Sequence, residues 1–158
     1  MKVLFIKETP ERYRLECSRE DGSKTAASLE FRSYFRHDLL HWVVERAANL
    51  QNSFFGIVKA GKNLNELSPR AIKETAPILP AEIQTTETIV GALHGPFAPE
   101  TDFQEVCQRI REYMELLSAT PPAYLTPEFC RRVTAEHRSL LGRWGQLRGG
   151  ESLEFLFP

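Results

Sequence analysis

The chain has 158 residues, 42% of them hydrophobic and 26% charged, and a formal net charge of −1. That length supports one domain with a genuine core. The near-neutral charge weighs against a dedicated binder of nucleic acid or of anionic membrane. Cys17, Cys107 and Cys130 are odd in number and far apart, which excludes a C-x-x-C motif, argues against a disulfide framework and points to a reducing cytoplasm. No run approaches the ~18 apolar residues of a membrane span. The apolar run Val3 to Ile6 is too short for the core of a signal peptide. Partners, and whether the chain forms a homo-oligomer, are left open.

Residues 2–8 read as a strand broken by Thr9-Pro10. Residues 11–19 alternate, with Tyr13, Leu15 and Cys17 on one face and Arg12, Arg14 and Glu16 on the other, as in a half-buried antiparallel strand. Asp21-Gly22 is a hairpin signal, and residues 23–31 return as a third strand of a meander.

A helix over about residues 33–50 follows, and it concentrates the chemistry of the chain. His37, His41 and Glu45 follow i, i+4, i+8, with Asp38 directly after the first histidine. At about 100° per residue, Leu39, Leu40, Val43, Val44, Ala47 and Leu50 form one apolar face. His37 lies at its edge, with His41 and then Glu45 each about 40° further round, on a strip that borders the core. Side chains at i and i+4 can converge on one ion, and imidazoles with a carboxylate suit zinc or another divalent first-row metal.

H-D-x-x-H resembles the H-E-x-x-H of zinc metalloproteases, in which the histidines bind zinc and the acid is the general base. That resemblance implies His37 and His41 as ligands and Asp38, one methylene shorter, as the base. The longer metzincin pattern fails, because Val44 and Ala47 stand where it needs glycine and histidine. H-D-x-x-H is also similar to the start of the motif in the coenzyme Q biosynthesis scaffold family. That motif continues to a glutamate where this chain has Ser53, and the likeness covers about one helix. A structural role accounts for the same residues: buried-edge histidines bonded to neighbouring acceptors, Asp38 as a first-turn acid, and Glu45 paired with His41 on the surface.

Ser53 or Asn52 caps a short second helix that ends near Gly61, with Phe54, Phe55, Ile57 and Val58 assigned to the core. Gly56 inside it suggests a close backbone approach. Residues 61–84 read as a connecting or lid-like segment, with Leu64 and Leu67 anchoring a turn and a short helix near 68–76. Residues 85–95 read as a helix capped by Thr85 or Thr86 and stopped by Gly95-Pro96. Glu87 and His94, seven apart on nearly one face, are the candidates to complete a site begun by His37 and His41. His94 also suits a helix C-terminus, where an imidazole meets the dipole.

Residues 101–118 read as a helix with Thr101 and Asp102 as caps and a stripe of Phe103, Val106, Cys107, Ile110, Met114 and Leu117. Residues 126–147 read as the last helix, with Thr126 as cap, Pro127 in the first turn and Phe129, Val133, Leu140, Leu141 and Trp144 inward. Its arginines read as a solvated face that balances the acidic 101–118 helix, with a surface for phosphate or an acidic partner as the alternative. Gly149-Gly150 turns the chain into a closing strand, 152–157, expected on the N-terminal sheet.

Strands first, helices next and one closing strand make an α+β domain: a small antiparallel sheet packed against four to five helices. Phosphate-loop, dinucleotide and nucleophile-elbow motifs are absent. Two functional readings remain. One is a metal-binding, hydrolase-like protein with His37 and His41 as ligands, Glu45, Glu87 or His94 as a third ligand, and Asp38 as a base or a carboxylate that orients an imidazole, with Glu45 a further candidate catalytic acid. The other is a non-enzymatic binding or regulatory protein in which the cluster is structural.

Overall fold

The computed structural model describes residues 1–67, 81–94 and 102–158. Strands β1 (Lys2–Lys7), β2 (Arg12–Ser18) and β3 (Lys24–Glu30) form the meander, and β4 (Ser152–Leu156) pairs antiparallel with the free edge of β1. The order is β3-β2-β1-β4, with all pairs antiparallel. The closing strand therefore seals the sheet as the sequence led us to expect. The Met1 amino group donates to the Phe157 carbonyl at 2.9 Å, and the Phe157 N–H returns a bond to Met1 at 2.8 Å.

Alternation settles which face is covered. Val3, Phe5, Tyr13, Leu15, Cys17 and Leu153 are buried against the helices, while charged residues of β2 such as Arg12 and Arg14 face solvent. Phe5 is the hub of this layer, with its ring 5.9–6.5 Å from those of Tyr13, Phe35, Phe55 and Phe155. Phe155 is half-buried and stacks over Trp42, at 4.0 Å between ring centres.

The helical layer starts differently from the sequence reading. A π-helical turn, Phe31–Phe35, leads out of β3, so α1 runs from Arg36 to Ala48 and not from residue 33. The turn collects Phe31 and Phe35 against Trp144 of the last helix, at 5.9 and 4.0 Å. Such turns are uncommon and carry no sequence signature comparable to a cap. At the other end, Asn49 adopts φ 53° and its N–H reaches the Glu45 and Arg46 carbonyls, which ends α1 before Leu50.

Helix α2 spans Phe54–Lys59. A Cβ at Gly56 would fall 2.3 Å from the Gln51 carbonyl oxygen, so glycine is required by close approach. Leu64–Leu67 form a 3-10 turn anchored by buried Leu64. The short helix expected near 68–76, the Gly95-Pro96 stop and Thr101 lie outside the described residues.

Helix α3 spans Ala81–Leu93 and begins four residues before the expected threonine cap. The threonines do not cap it. Thr86 Oγ1 donates to the Glu82 carbonyl at 2.8 Å and Thr88 Oγ1 to that of Gln84 at 2.9 Å, bonds that place both residues inside the helix. Helix α4 (Phe103–Leu116) is capped by Asp102, which accepts from the Gln104 N–H at 2.8 Å. Leu117 was assigned to its inward stripe, yet it is 55% exposed because the helix ends there and the next residue turns at φ 56°. Helix α5 (Pro127–Gln146) is capped by Thr126 with Pro127 in its first turn. Leu141 is half-buried, and Cys130, Thr134 and His137 complete the inner face. All three cysteines are free and buried. Among the described residues, no helix is long and apolar enough to cross a membrane.

Candidate metal centre

Helix α1 has the sheet on one side and α2 and α3 on the other. Its apolar residues Leu39, Leu40, Val43 and Val44 are all fully buried. The polar strip at their edge is not left at the border. His41 retains 3% exposure and Glu45 none, because α2 and α3 cover them. His37, one turn nearer the N-terminus, keeps a partly exposed ring.

The two imidazoles present the same nitrogen to each other, with His37 Nε2 and His41 Nε2 3.1 Å apart. Glu87 of α3 meets both: Oε1 lies 3.2 Å from His41 Nε2 and Oε2 lies 3.5 Å from His37 Nε2. The three side chains thus offer donor atoms that all lie within 4.8 Å of one another. Ligands at the corners of a tetrahedron with bonds of about 2.0–2.1 Å stand roughly 3.3–3.4 Å apart, so the separations of 3.1, 3.2 and 3.5 Å suit a zinc-sized ion.

Glu45 stands behind this group. Its Oε1 accepts from His41 Nδ1–H at 3.1 Å and its Oε2 accepts from the Phe55 N–H at 2.7 Å, near the start of α2. The first bond places a proton on His41 Nδ1 and turns Nε2 toward His37 and Glu87. A carboxylate behind a histidine in this way orients the ring and raises its basicity as a ligand. Asp38 points elsewhere. Its Oδ2 accepts a short hydrogen bond from the Tyr13 hydroxyl of β2, on the sheet side of α1. His94, at the end of α3, lies edge-on to His37 with ring centres 5.8 Å apart, beside the group and not within it.

Electrostatics divide the cluster. Burial lowers the pKa of His37 to about 4, helped by His41 and His94 and opposed by Glu87, so this ring is neutral at neutral pH. Burial also acts to lower His41, but the hydrogen bonds and charges of Glu45 and Glu87 outweigh it and raise the pKa to about 9. Glu87 is held below its ordinary value: burial would raise it, and the bond and charge of His41 overcome that. His94 is lowered by burial and by Arg36. His137, the fourth histidine, serves α1 structurally; its Nε2–H donates to the Arg36 carbonyl at 2.9 Å.

Of the residues singled out in the sequence, the fold brings His37, His41 and Glu87 together and sets Glu45 behind them, with His94 adjacent and Asp38 turned to Tyr13. Sequence reasoning missed what covers the cluster and what lies next to it. An open cleft of about 590 Å³ between α3 and α4 runs past Glu87, with Gly91 and Ile110 on its apolar side and Arg109 and Tyr113 among its polar residues. Arg109 and Tyr113 sit on the outer face of an amphipathic helix, and nothing in that pattern distinguishes them from ordinary surface residues. Comparison with protein-family models, curated proteins and solved structures returns no match for this chain.

Proposed function

We propose that this protein binds a divalent first-row metal ion, zinc foremost, through His37 Nε2, His41 Nε2 and Glu87, and uses it in hydrolase-type chemistry. One observation carries the reading: three donor atoms of the right kinds at 3.1–3.5 Å, with the central imidazole oriented from behind by buried Glu45. Three protein ligands leave a coordination position open, which is the arrangement of catalytic and not of closed structural zinc sites. A bound ion there would act as a Lewis acid and lower the pKa of a water it holds. The partial exposure of His37 and Glu87, 32% and 47% of their side chains, gives solvent and small ligands access to that side. In this reading Glu45 is an orienting carboxylate, and Asp38 belongs to the sheet contact through Tyr13.

A second reading has its own support. The same separations are hydrogen-bond distances, and a protonated His41 between Glu45 and Glu87 satisfies both carboxylates without metal. The cluster would then be structural, in a binding or regulatory protein. Elemental analysis of untagged protein, followed by zinc titration of wild type, His41→Gln and Glu87→Gln, separates the two. The metal reading expects about one zinc per chain in the wild type and its loss in both variants. It also expects thermal stabilisation of the wild type alone by added zinc, roughly 2.7 kcal/mol at a hundredfold excess over Kd. Identical melts of wild type in zinc and in chelator would refute it.

A further inference from the structure

The cleft between α3 and α4 has a composition that selects a ligand. Glu87, already committed to the histidines, stands in its lining together with Arg109 and Tyr113 of α4. Gly91, Val106 and Ile110 give it an apolar side. Gly91 is notable for what it leaves open. It lies inside a helix, where glycine costs about 1 kcal/mol relative to alanine, and among the described residues a Cβ built there meets nothing within 4 Å. Packing among the described residues does not demand this glycine, and its lack of a side chain leaves the cleft wider. Arg109 Nη2 meets Glu105 at 3.2 Å, an exposed i, i+4 pair, so one of the five N–H donors of the guanidinium is engaged at solvent. Such a pair holds weakly and exchanges readily for a better-placed anion.

We infer that this cleft binds a small organic anion with a short apolar body, whose charged group is held by Arg109 and Tyr113 and whose other end lies toward Glu87. The inference rests on the metal reading in that it makes the cleft the substrate subsite of that centre. Charge complementarity favours an anion: the Glu87 charge is matched by buried His41 or by a metal, whereas Arg109 is matched by an exposed pair with Glu105, which lies outside the lining and yields to a better-placed anion. The apolar side then favours a ligand with a hydrocarbon portion over a bare ion.

The test uses 3-phenylpropionate as probe and its neutral amide as control, followed by ligand-observed NMR and by calorimetry on the zinc-loaded full chain. Zinc stoichiometry is measured separately on every sample, so a failed metal site is read independently of a failed cleft. The expected results are millimolar or tighter binding of the carboxylate and at least about tenfold weaker binding of the amide. Arg109→Met, which keeps the aliphatic stem, should weaken the carboxylate by about tenfold or more. Gly91→Leu, which fills the cleft and suits a helix, should abolish binding. Both variants should retain full zinc. With cobalt in place of zinc, probe protons should relax faster in the wild type than with zinc, as proximity to the paramagnetic ion requires. No binding of the carboxylate, equal binding of acid and amide, or undiminished binding by Arg109→Met or Gly91→Leu overturns the anion site. Arg109-dependent binding without faster relaxation in cobalt overturns its assignment to the metal centre.

Discussion

Asp38 and Glu45 are carboxylates of one helix, seven residues apart, and the fold treats them in opposite ways. Both are withdrawn from water, Glu45 completely and Asp38 largely. Asp38 faces the sheet and is bonded to a neutral hydroxyl, that of Tyr13. Burial raises its pKa to about 6 although that hydrogen bond acts to lower it. Glu45 faces α2 and α3, and its oxygens take His41 Nδ1–H and the Phe55 N–H. A buried carboxylate is defined by its partner: with a neutral donor it drifts toward the acid form, and with an imidazole it becomes half of an ion pair. The comparison also sorts the two acids by role, since only Glu45 touches a residue of the candidate metal centre.

Removing Glu45 should give the largest effect. Glu45→Leu leaves His41 buried without its oriented partner and uncaps the Phe55 N–H. Breaking a buried pair from one side costs about 3–5 kcal/mol. Urea unfolding at pH 7 should show a loss of that order, with zinc binding weakened as well. A loss below about 1 kcal/mol would mean that Glu45 does not hold the cluster together and would erase the contrast with Asp38.

The second test concerns what occupies the space between the three donors. A raised His41 pKa means that the folded chain binds a proton more tightly than the unfolded chain does. That stabilisation is fully present below about 6.5, the unfolded value, and is lost as pH rises toward about 9. Chelated protein should therefore lose stability across that window. Zinc must displace the same proton, so its affinity should rise close to tenfold per pH unit between about pH 7 and 9. His37, lowered to about 4, is already neutral there and adds no slope. This moves the transition upward from the range near 6.5 expected of an unperturbed histidine. Calorimetric zinc affinities that level off above pH 7 would place the proton elsewhere and loosen the link between Glu45 and His41.

The sheet and most helix boundaries were legible because they rest on local signals. Alternation marked Tyr13, Leu15 and Cys17, Asp102 and Thr126 marked helix starts, and the 3.6-residue period marked Val106, Ile110 and Met114 as core. The helical strip of His37, His41 and Glu45 was legible for the same reason, and so was the shared face of Glu87 and His94. What the strip would face was not. The burial of His41 and Glu45 comes from α2 and α3 docking over α1, tertiary contacts that periodicity cannot see. The start of α3 was misplaced because a threonine that caps a helix and one that bonds back inside it look alike in a sequence. The partner of Asp38, a tyrosine of β2, was hidden for the same reason as the cleft beside Glu87: both need the tertiary fold.

The smallest effect belongs to Asp38, and it comes with an unusual sign. A carboxyl whose pKa is raised from 3.8 to about 6 on folding takes up protons when the chain folds. Across that interval its contribution therefore falls as pH rises, opposite to the common case of a salt-bridged acid. His37 and His137, both lowered to about 4, act the other way between about pH 4 and 6.5, since the unfolded chain binds those protons first. The net curve of the wild type thus hides the Asp38 term, and only a difference exposes it. Asp38→Asn keeps an acceptor for the Tyr13 hydroxyl and removes the titration. Relative to wild type, the variant should gain stability from pH 4 to pH 6.5 by about 1–2 kcal/mol, read from paired urea titrations at each pH. Zinc stoichiometry should stay unchanged, because the bond to Tyr13 turns this side chain toward the sheet. A pH-independent difference between the two proteins would show that Asp38 is an ordinary ionised carboxylate. Loss of zinc in the variant would return Asp38 to the metal centre, as the H-D-x-x-H spacing alone had suggested.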